Sequence, residues 1–263
     1  MPRDKLSPTH QVALLATGDE ICNGDIINSN SYEIAQRLFS AGVQVSTHMT
    51  LPDNLAALEN GMRFLLQNHS ALIITGGLGP TSDDLTRQAL SHVLHRPLVF
   101  DEPTWETIVE RIRRFGISPP PESNRQQALF PQGAVIIPNP NGTAAGCMVK
   151  QTSDQQEQFI FMLPGPPAEC LPLFETVVLP TLKNNSFQKI VCYKKWVLRG
   201  VSEAAIAEKL DTIAKPFDCV TGYRFNYPYI EFKLYSNNEA DFNALLPLIN
   251  EAIAPYLSMD DPS

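Results

Sequence analysis

The sequence predicts an α/β protein: a largely parallel sheet covered by helices on both faces, followed by a smaller α+β module. Three observations carry this. Buried strand-like runs alternate with amphipathic helix-like segments through the first hundred residues, in a βαβαβα rhythm. The early strands each run into a polar or glycine-containing stretch. The polar segment KNNSFQ (183–188) then separates this region from a second group of elements, which divides the chain into 1–185 and 186–263.

Residues 11–17 (QVALLAT) read as a buried strand. Over 31–41, Tyr32, Ile34, Ala35 and Leu38 recur at helical spacing, and Gly42 ends the helix. Val43, Val45, Thr47 and Met49 alternate as a strand does. Asp53 stands at an N-cap position before a helix bearing Leu55, Leu58, Met62 and Leu65. Residues 71–74 form the next strand and 84–94 the next helix, with Leu85, Ala89 and Val93 on one face. The stretch 97–131 holds an amphipathic helix (Trp105, Ile108, Val109, Ile112) and a Pro119-Pro120-Pro121 connector. Strands follow at 134–137, 146–150 and 159–163, then a closing helix at 168–182 that contains Pro172 and Pro180. In the module, 193–199 and 229–235 pattern as strands, 203–213 and 240–256 as helices.

Composition excludes several classes. With 263 residues, 43% of them hydrophobic, the chain has the make-up of a soluble globular protein. No apolar run approaches the about 20 residues that span a bilayer. The opening MPRDKLSPTHQ lacks the apolar core of a signal peptide, so a cytoplasmic protein is expected. Five scattered cysteines without a C-x-x-C pair predict reduced thiols and no zinc cage. A net charge of −8 argues against a basic nucleic-acid surface. The absence of lysine between Lys5 and Lys150 excludes a Walker A loop.

In a parallel sheet every strand delivers its C-terminal end to the same edge, where ligands bind. Four stretches follow strand ends here: Thr17-Gly18-Asp19-Glu20, Leu51-Pro52-Asp53-Asn54, the loop TGGLGPTSDDLT (75–86), and Leu163-Pro164-Gly165-Pro166-Pro167. The turn Asn139-Pro140-Asn141-Gly142-Thr143 can reach the same crevice. A glycine loop leaving a buried strand holds phosphate through its free N–H groups. Glu20, Asp53, Asp83 and Asp84 would oppose that phosphate unless a divalent cation bridges them. Mg²⁺ takes one or two carboxylates plus phosphate oxygens and needs no lysine. A plainer reading stands beside this one. Two aspartates in the first turn of a helix suit its dipole, Thr81-x-x-Asp84 fits a capping box, and paired glycines serve tight turns. Spacing alone leaves the two open. His92 and His95, with no acid between them, read as structural, and Arg111, Arg113 and Arg114 as a solvated face from which one could reach a phosphate.

The stretches TGDEICNGDIINSNS (17–31), TGGLGPTSDDLT (75–86), NRQQALFPQGAVIIPNPNGTAAG (124–146) and LPGPPAE (163–169) resemble the N-terminal domain of the competence/damage-inducible CinA family. That domain has the molybdopterin-binding fold shared with MogA-, MoaB- and MoeA-type proteins. The resemblance covers about residues 12–182; the region after 190 is similar, more weakly, to the small KH-like middle domain of CinA proteins. It implies a three-layer α/β/α sandwich that binds a nucleotide or pterin nucleotide, and a second, KH-like α+β domain. It also implies metal-dependent hydrolysis of a nucleotide pyrophosphate, above all ADP-ribose to AMP and ribose 5-phosphate, with Mg²⁺, Mn²⁺ or Co²⁺ as cofactor. By motif, Asp53 and Asp84 match positions associated with catalysis and, with Asp83, with the metal. Gly76, Gly77, Gly79 and Thr81 match the phosphate loop, with Thr75 at its root. Gly18, Glu20, Asn30, Asn141, Gly142 and Thr143 match other stretches lining the pocket.

Departures from the family pattern temper this. Asn28 stands where an aspartate is usual, Ala145 replaces the proline of G-T-A-P-G, and Cys22 and Cys170 replace larger aliphatic residues. No stretch of the 263 residues matches the C-terminal amidase domain, so deamidation is not expected of this chain. Gly200-Val201-Ser202-Glu203 lacks the second glycine of the KH clamp, so RNA binding is not expected either. The expected partners are a small nucleotide or pterin ligand and further copies of the chain, with no nucleic acid and no membrane. FAD hydrolysis, molybdopterin adenylylation and non-catalytic ligand binding are the alternatives to ADP-ribose cleavage.

Overall fold

The computed structural model describes residues 11–153, 156–188 and 192–257. Most of the opening stretch read for a signal peptide lies outside the described residues. The chain divides into two compact units, Met1–Phe187 and Gln188–Ser263.

The strands of the first unit are β1 (Val12–Thr17), β2 (Val45–Leu51), β3 (Ala71–Thr75), β4 (Leu98–Phe100), β5 (Leu129–Pro131), β6 (Val135–Ile137), β7 (Gly146–Ser153) and β8 (Gln156–Leu163). Six of them form one sheet in the order β2-β1-β3-β8-β7-β6. The pairs β1–β2, β1–β3 and β3–β8 are parallel, whereas β7 is antiparallel to both β8 and β6. The sheet is therefore mixed, and β7 alone runs against the rest. Because β6 is reversed twice relative to β8, it points the same way as β1. The C-terminal ends of β1, β2, β3, β6 and β8 thus share one edge.

Helices cover both faces. They are α1 (Asp19–Cys22), α2 (Ser29–Ser40), α3 (Leu55–Asn68), α4 (Thr86–Leu94), α5 (Glu102–Arg114), α6 (Pro167–Leu173) and α7 (Leu179–Asn184). Alternation along β1 divides the core. Val12 and Leu14 join Ile34 and Leu38 of α2 with Leu173 and Leu182 of the closing helices. Ala13 and Leu15 join Leu58, Met62 and Leu65 of α3 with Ala89 and Leu90 of α4. With both faces covered, all six residues of β1 are buried, which explains its unbroken apolar run. Each fully buried leucine or isoleucine contributes about 1.5–3 kcal/mol. The three-layer α/β/α arrangement expected from the sequence is the one observed.

Several boundaries differ from the sequence reading. Asn54, not Asp53, caps α3, its side chain accepting from the Ala57 N–H at 3.0 Å. The helix α4 starts at Thr86, so Asp83 and Asp84 precede it and do not occupy its first turn. The helix α2 starts at Ser29, with the Asn28 side chain accepting from the Ser31 N–H. The second strand runs two residues later than its alternation suggested. The expected closing helix is interrupted by a π-helical turn at Phe174–Val178, shortly after Pro172. The ribbon of β4 and β5 was not anticipated, because strands of three residues are too short to show a period.

The second unit contains β9 (Cys192–Arg199), α8 (Glu203–Ala214), β10 (Val220–Asn226), β11 (Tyr229–Ser236) and α9 (Glu239–Ile253). Its antiparallel sheet has the order β10-β11-β9. Trp196, Phe232, Leu210 and Ile249 lie in one core under the two helices. The strand β10 escaped the sequence reading because its residues are only partly buried and show no alternation. Ser202 of the stretch lacking the clamp glycine caps α8 through the Ala205 N–H.

The polar appearance of 183–188 hides one anchor. Phe187 is 2% exposed and meets Phe159 edge-on at 6.0 Å within the first core. A chain ending after Phe187 is expected to fold with full cooperativity. Ending it at Leu182, or making Phe187→Ala in the full chain, should cost about 3 kcal/mol in chemical denaturation.

Candidate functional site

A cavity of about 530 Å³ opens at the shared strand edge of the first unit. Of the residues proposed from the sequence, Gly18, Glu20, Asn30, Asp53, Thr75, Gly76, Gly77, Gly79, Thr81, Asp83, Asp84 and Thr143 all line it. Two do not. Gly142 lies against a neighbouring cavity of about 250 Å³, and Asn141 lines neither. The Asn141 amide instead donates to the Ala168 carbonyl at 2.8 Å. Pro172, four residues on, has no N–H to offer that carbonyl, so Asn141 satisfies it from outside the helix.

The glycine loop is shaped by side chains around it. Gly76 and Gly77 both have left-handed backbones, with φ of 100° and 64°. A Cβ at Gly76 would lie 2.5 Å from the Thr17 carbonyl, and one at Gly77 would lie 2.1 Å from the Thr86 hydroxyl. Only glycine fits both demands. The Thr86 hydroxyl donates to the Gly76 carbonyl at 2.9 Å, tying the loop to the start of α4. The Asp84 carboxylate accepts from the Gly79 N–H at 2.6 Å and from the Thr81 N–H and hydroxyl at 2.8 and 2.6 Å. The Gly76 N–H donates to the Leu163 carbonyl. Among the loop N–H groups without a protein acceptor in the described residues are those of Gly77 and Leu78, both of which line the cavity.

Opposite the loop, Asp19 and Asp53 exchange hydrogen bonds. The Asp19 N–H donates to the Asp53 carboxylate, and the Asp53 N–H to the Asp19 carboxylate, each at 3.1 Å. Partial burial raises the Asp53 pKa. The Asp19 N–H opposes that shift, and the negative charges of Asp19, Glu20 and Asp83 add to it. Among the described residues, no lysine, arginine or histidine lines the cavity. Among the described residues no three Asp, Glu, His or Cys side chains converge as a complete metal cage. The donor set is oxygen-only and electron-rich, which fits a hard divalent cation completing its shell with ligand oxygens and water.

Sequence reasoning missed some residues. Glu169 lines the cavity and accepts from the Asn139 amide at 2.7 Å. Gln126 donates to the carbonyls of Gly79 and Thr81 at 3.1 and 2.8 Å, and Gln127, 1% exposed, reaches the Leu78 carbonyl. The one signal was the glutamine pair ahead of an apolar strand, which carries no period. Arg111, considered for a phosphate, donates to the carbonyls of Asn139, Pro140 and Gly142 and holds that turn. His92 pairs with Glu59, and His95 is the left-handed cap of α4.

An acid with a raised pKa binds its proton more tightly in the folded state. Stability therefore falls as pH rises from the ordinary carboxylate value through the raised one, and stays lower above it. Asp53→Asn should remove that fall and raise the melting temperature at pH 7 by a few degrees, as read by thermal unfolding at pH 4 and 7.

A family model described as a probable molybdopterin binding domain matches residues 13–184. A putative competence-damage inducible protein of Clostridium kluyveri is 36% identical over 197 residues, 75% of this chain and 47% of that protein. A CinA-like protein of Shewanella woodyi is 32% identical over 242 residues, 92% of this chain and 56% of its own length. The chain thus spans about half the length of the curated relatives it matches. The crystal structure of a CinA protein of unknown function from Thermoplasma acidophilum superposes with a TM-score of 0.59 at 26% identity, covering 67% of this chain and 99% of that one.

Proposed function

The chain belongs to the family of probable molybdopterin binding domains, and from that premise we propose that its cleft binds a nucleotide or pterin-nucleotide pyrophosphate and hydrolyses it with a divalent cation, ADP-ribose being the first candidate. One observation carries the reading. The unpaired N–H donors of Gly77 and Leu78 share a cavity with Glu20, Asp53 and Asp83, and among the described residues no basic side chain lines it. Anion-binding backbone and carboxylates are compatible in one cavity when a cation stands between them.

In this proposal the Gly77 and Leu78 N–H groups hold one phosphate. Asp53 would hold the cation, which completes its shell with phosphate oxygens and water, while Glu20, Asp83 and Asp84 add negative charge around it. Such an ion, when bound, neutralises charge on a phosphoryl oxygen and acidifies the attacking water. Asp53 is the residue prepared for this, since the same burial and charge that raise its proton affinity favour a cation beside it. Asp84 has a second task, because its carboxylate sets the path of the loop. The apolar lip of Ile26 and Ile27 and the prolines of 164–167 offer surfaces for a flat ring.

The two aspartates should separate in experiment. Asp53→Asn is expected to abolish most cleavage of ADP-ribose across a metal titration while the fold survives. Asp84→Asn should lose activity and also about 1–3 kcal/mol of stability, because its new NH₂ meets N–H donors. ADP-ribose, FAD and molybdopterin with ATP, assayed side by side, identify the substrate class. Ligand binding without turnover of any of them, at any metal concentration, would replace the hydrolase reading with a binding protein.

A further inference from the structure

Arg87 is the buried charge that none of the roles above uses. It lies in the first turn of α4 at 4% exposure. One nitrogen, Nη1, donates to the Leu78 carbonyl at 2.9 Å, on the loop that lines the cavity. Its Nε and Nη2 are buried with no hydrogen-bond partner among the described residues. The Phe130 ring covers the guanidinium at 5.8 Å. Asp84 is the carboxylate that acts on it, yet both Asp84 oxygens bond to Gly79 and Thr81, and no ion pair forms. The nearby Cys147 thiol is pushed up to about 12 by burial and stays neutral at pH 7. Burial lowers Arg87 itself to about 10, so it remains charged there.

A buried cation without a directly bonded counter-ion is costly, and proteins keep one when something else supplies the charge. Pinning the Leu78 carbonyl does not require it, since Gln127 reaches the same oxygen with a neutral amide. The feature left unexplained is the charge, and it sits one hydrogen bond behind the backbone whose N–H groups are spare.

We propose that Arg87 is a positioning residue for the bound anion: it draws the Leu78 carbonyl to the far side of the loop and supplies, through the loop, the positive charge that the cavity lining lacks. This rests on the reading of the loop as a phosphate site and deepens it. Recognition of the phosphate then combines backbone donors at the surface with a fixed positive field from beneath. Lysine is dispensable in the cavity for that reason, and water has no access to screen the guanidinium.

The test uses the full chain with inorganic pyrophosphate as the probe, its affinity measured by calorimetry with and without Mg²⁺, and thermal unfolding of each ligand-free variant. Arg87→Met should weaken pyrophosphate at least tenfold, while its ligand-free melting temperature stays equal to or above that of the parent, because an uncompensated charge has been removed. Arg87→Gln, which can still donate to Leu78, should weaken binding similarly, and Arg87→Lys should retain most of it. Parental affinity in Arg87→Gln or Arg87→Met would overturn the inference and leave the phosphate reading intact. Lost affinity with a melting temperature well below the parent in both neutral variants would also overturn it, since Arg87 would then be structural. Should Arg87→Met fail to fold, the comparison of Arg87→Gln with Arg87→Lys decides alone. No pyrophosphate binding by the parent would remove the phosphate reading, and this inference with it.

Discussion

The Asp84 carboxylate closing on Gly79 and Thr81 is the contact on which the cleft depends. It uses a charge to satisfy N–H groups that would otherwise stay unpaired in a half-buried turn, and such charge-assisted bonds are stronger than neutral ones. With that turn closed and Thr86 bonded to Gly76, the loop has little freedom left. The unpaired donors of Gly77 and Leu78 are then held at fixed positions beside the cavity. A ligand that needs donors in that arrangement meets them already ordered, without the entropy cost of arranging a mobile loop.

Charge around the cavity is separated by depth. Carboxylates from two strand-end turns, with Asp83 of the loop, gather where they raise the proton affinity of Asp53. The positive guanidinium of Arg87 is buried behind the loop. Both arrangements work against folding of the empty protein: like charges repel in one, and a cation is desolvated in the other. Structures keep such unfavourable groups where they are relieved by what binds, which is why perturbed groups gather at functional sites.

The mixed sheet accounts for a placement that a parallel one could not. The turn 138–145 reaches the cleft edge because β7 reverses direction, which makes β6 end where β1 and β3 end. That turn is then stiffened by Arg111 and by the Asn139–Glu169 hydrogen bond, and Asn141 spends its amide on the helix carbonyl left by Pro172. Residues in one short motif thus divide between lining a cavity, as Thr143 does, and holding the wall behind it.

The sequence by itself determined the layered α/β class, most elements of the first unit, the two-part organisation and the gathering of the strand-end motifs at one edge. These follow from periodicities of 2 and 3.6 and from the common direction of parallel strands, which are local or generic. The paired glycines of the loop and the lack of lysine between Lys5 and Lys150 were equally legible, since both are read directly from the letters. Only the tertiary structure decided that Asp84 serves the loop, that Asn141 faces a helix, and that Asn54 caps in place of Asp53. Only it decided that Arg87, an ordinary letter in TRQAL, is sealed without a directly bonded counter-ion. Whether a polar side chain meets a ligand, a backbone or nothing depends on how the chain turns nearby, as at Asp84 and Gly79, or on partners far along it, as at Asn141 and Ala168. No hydrophobic period encodes either.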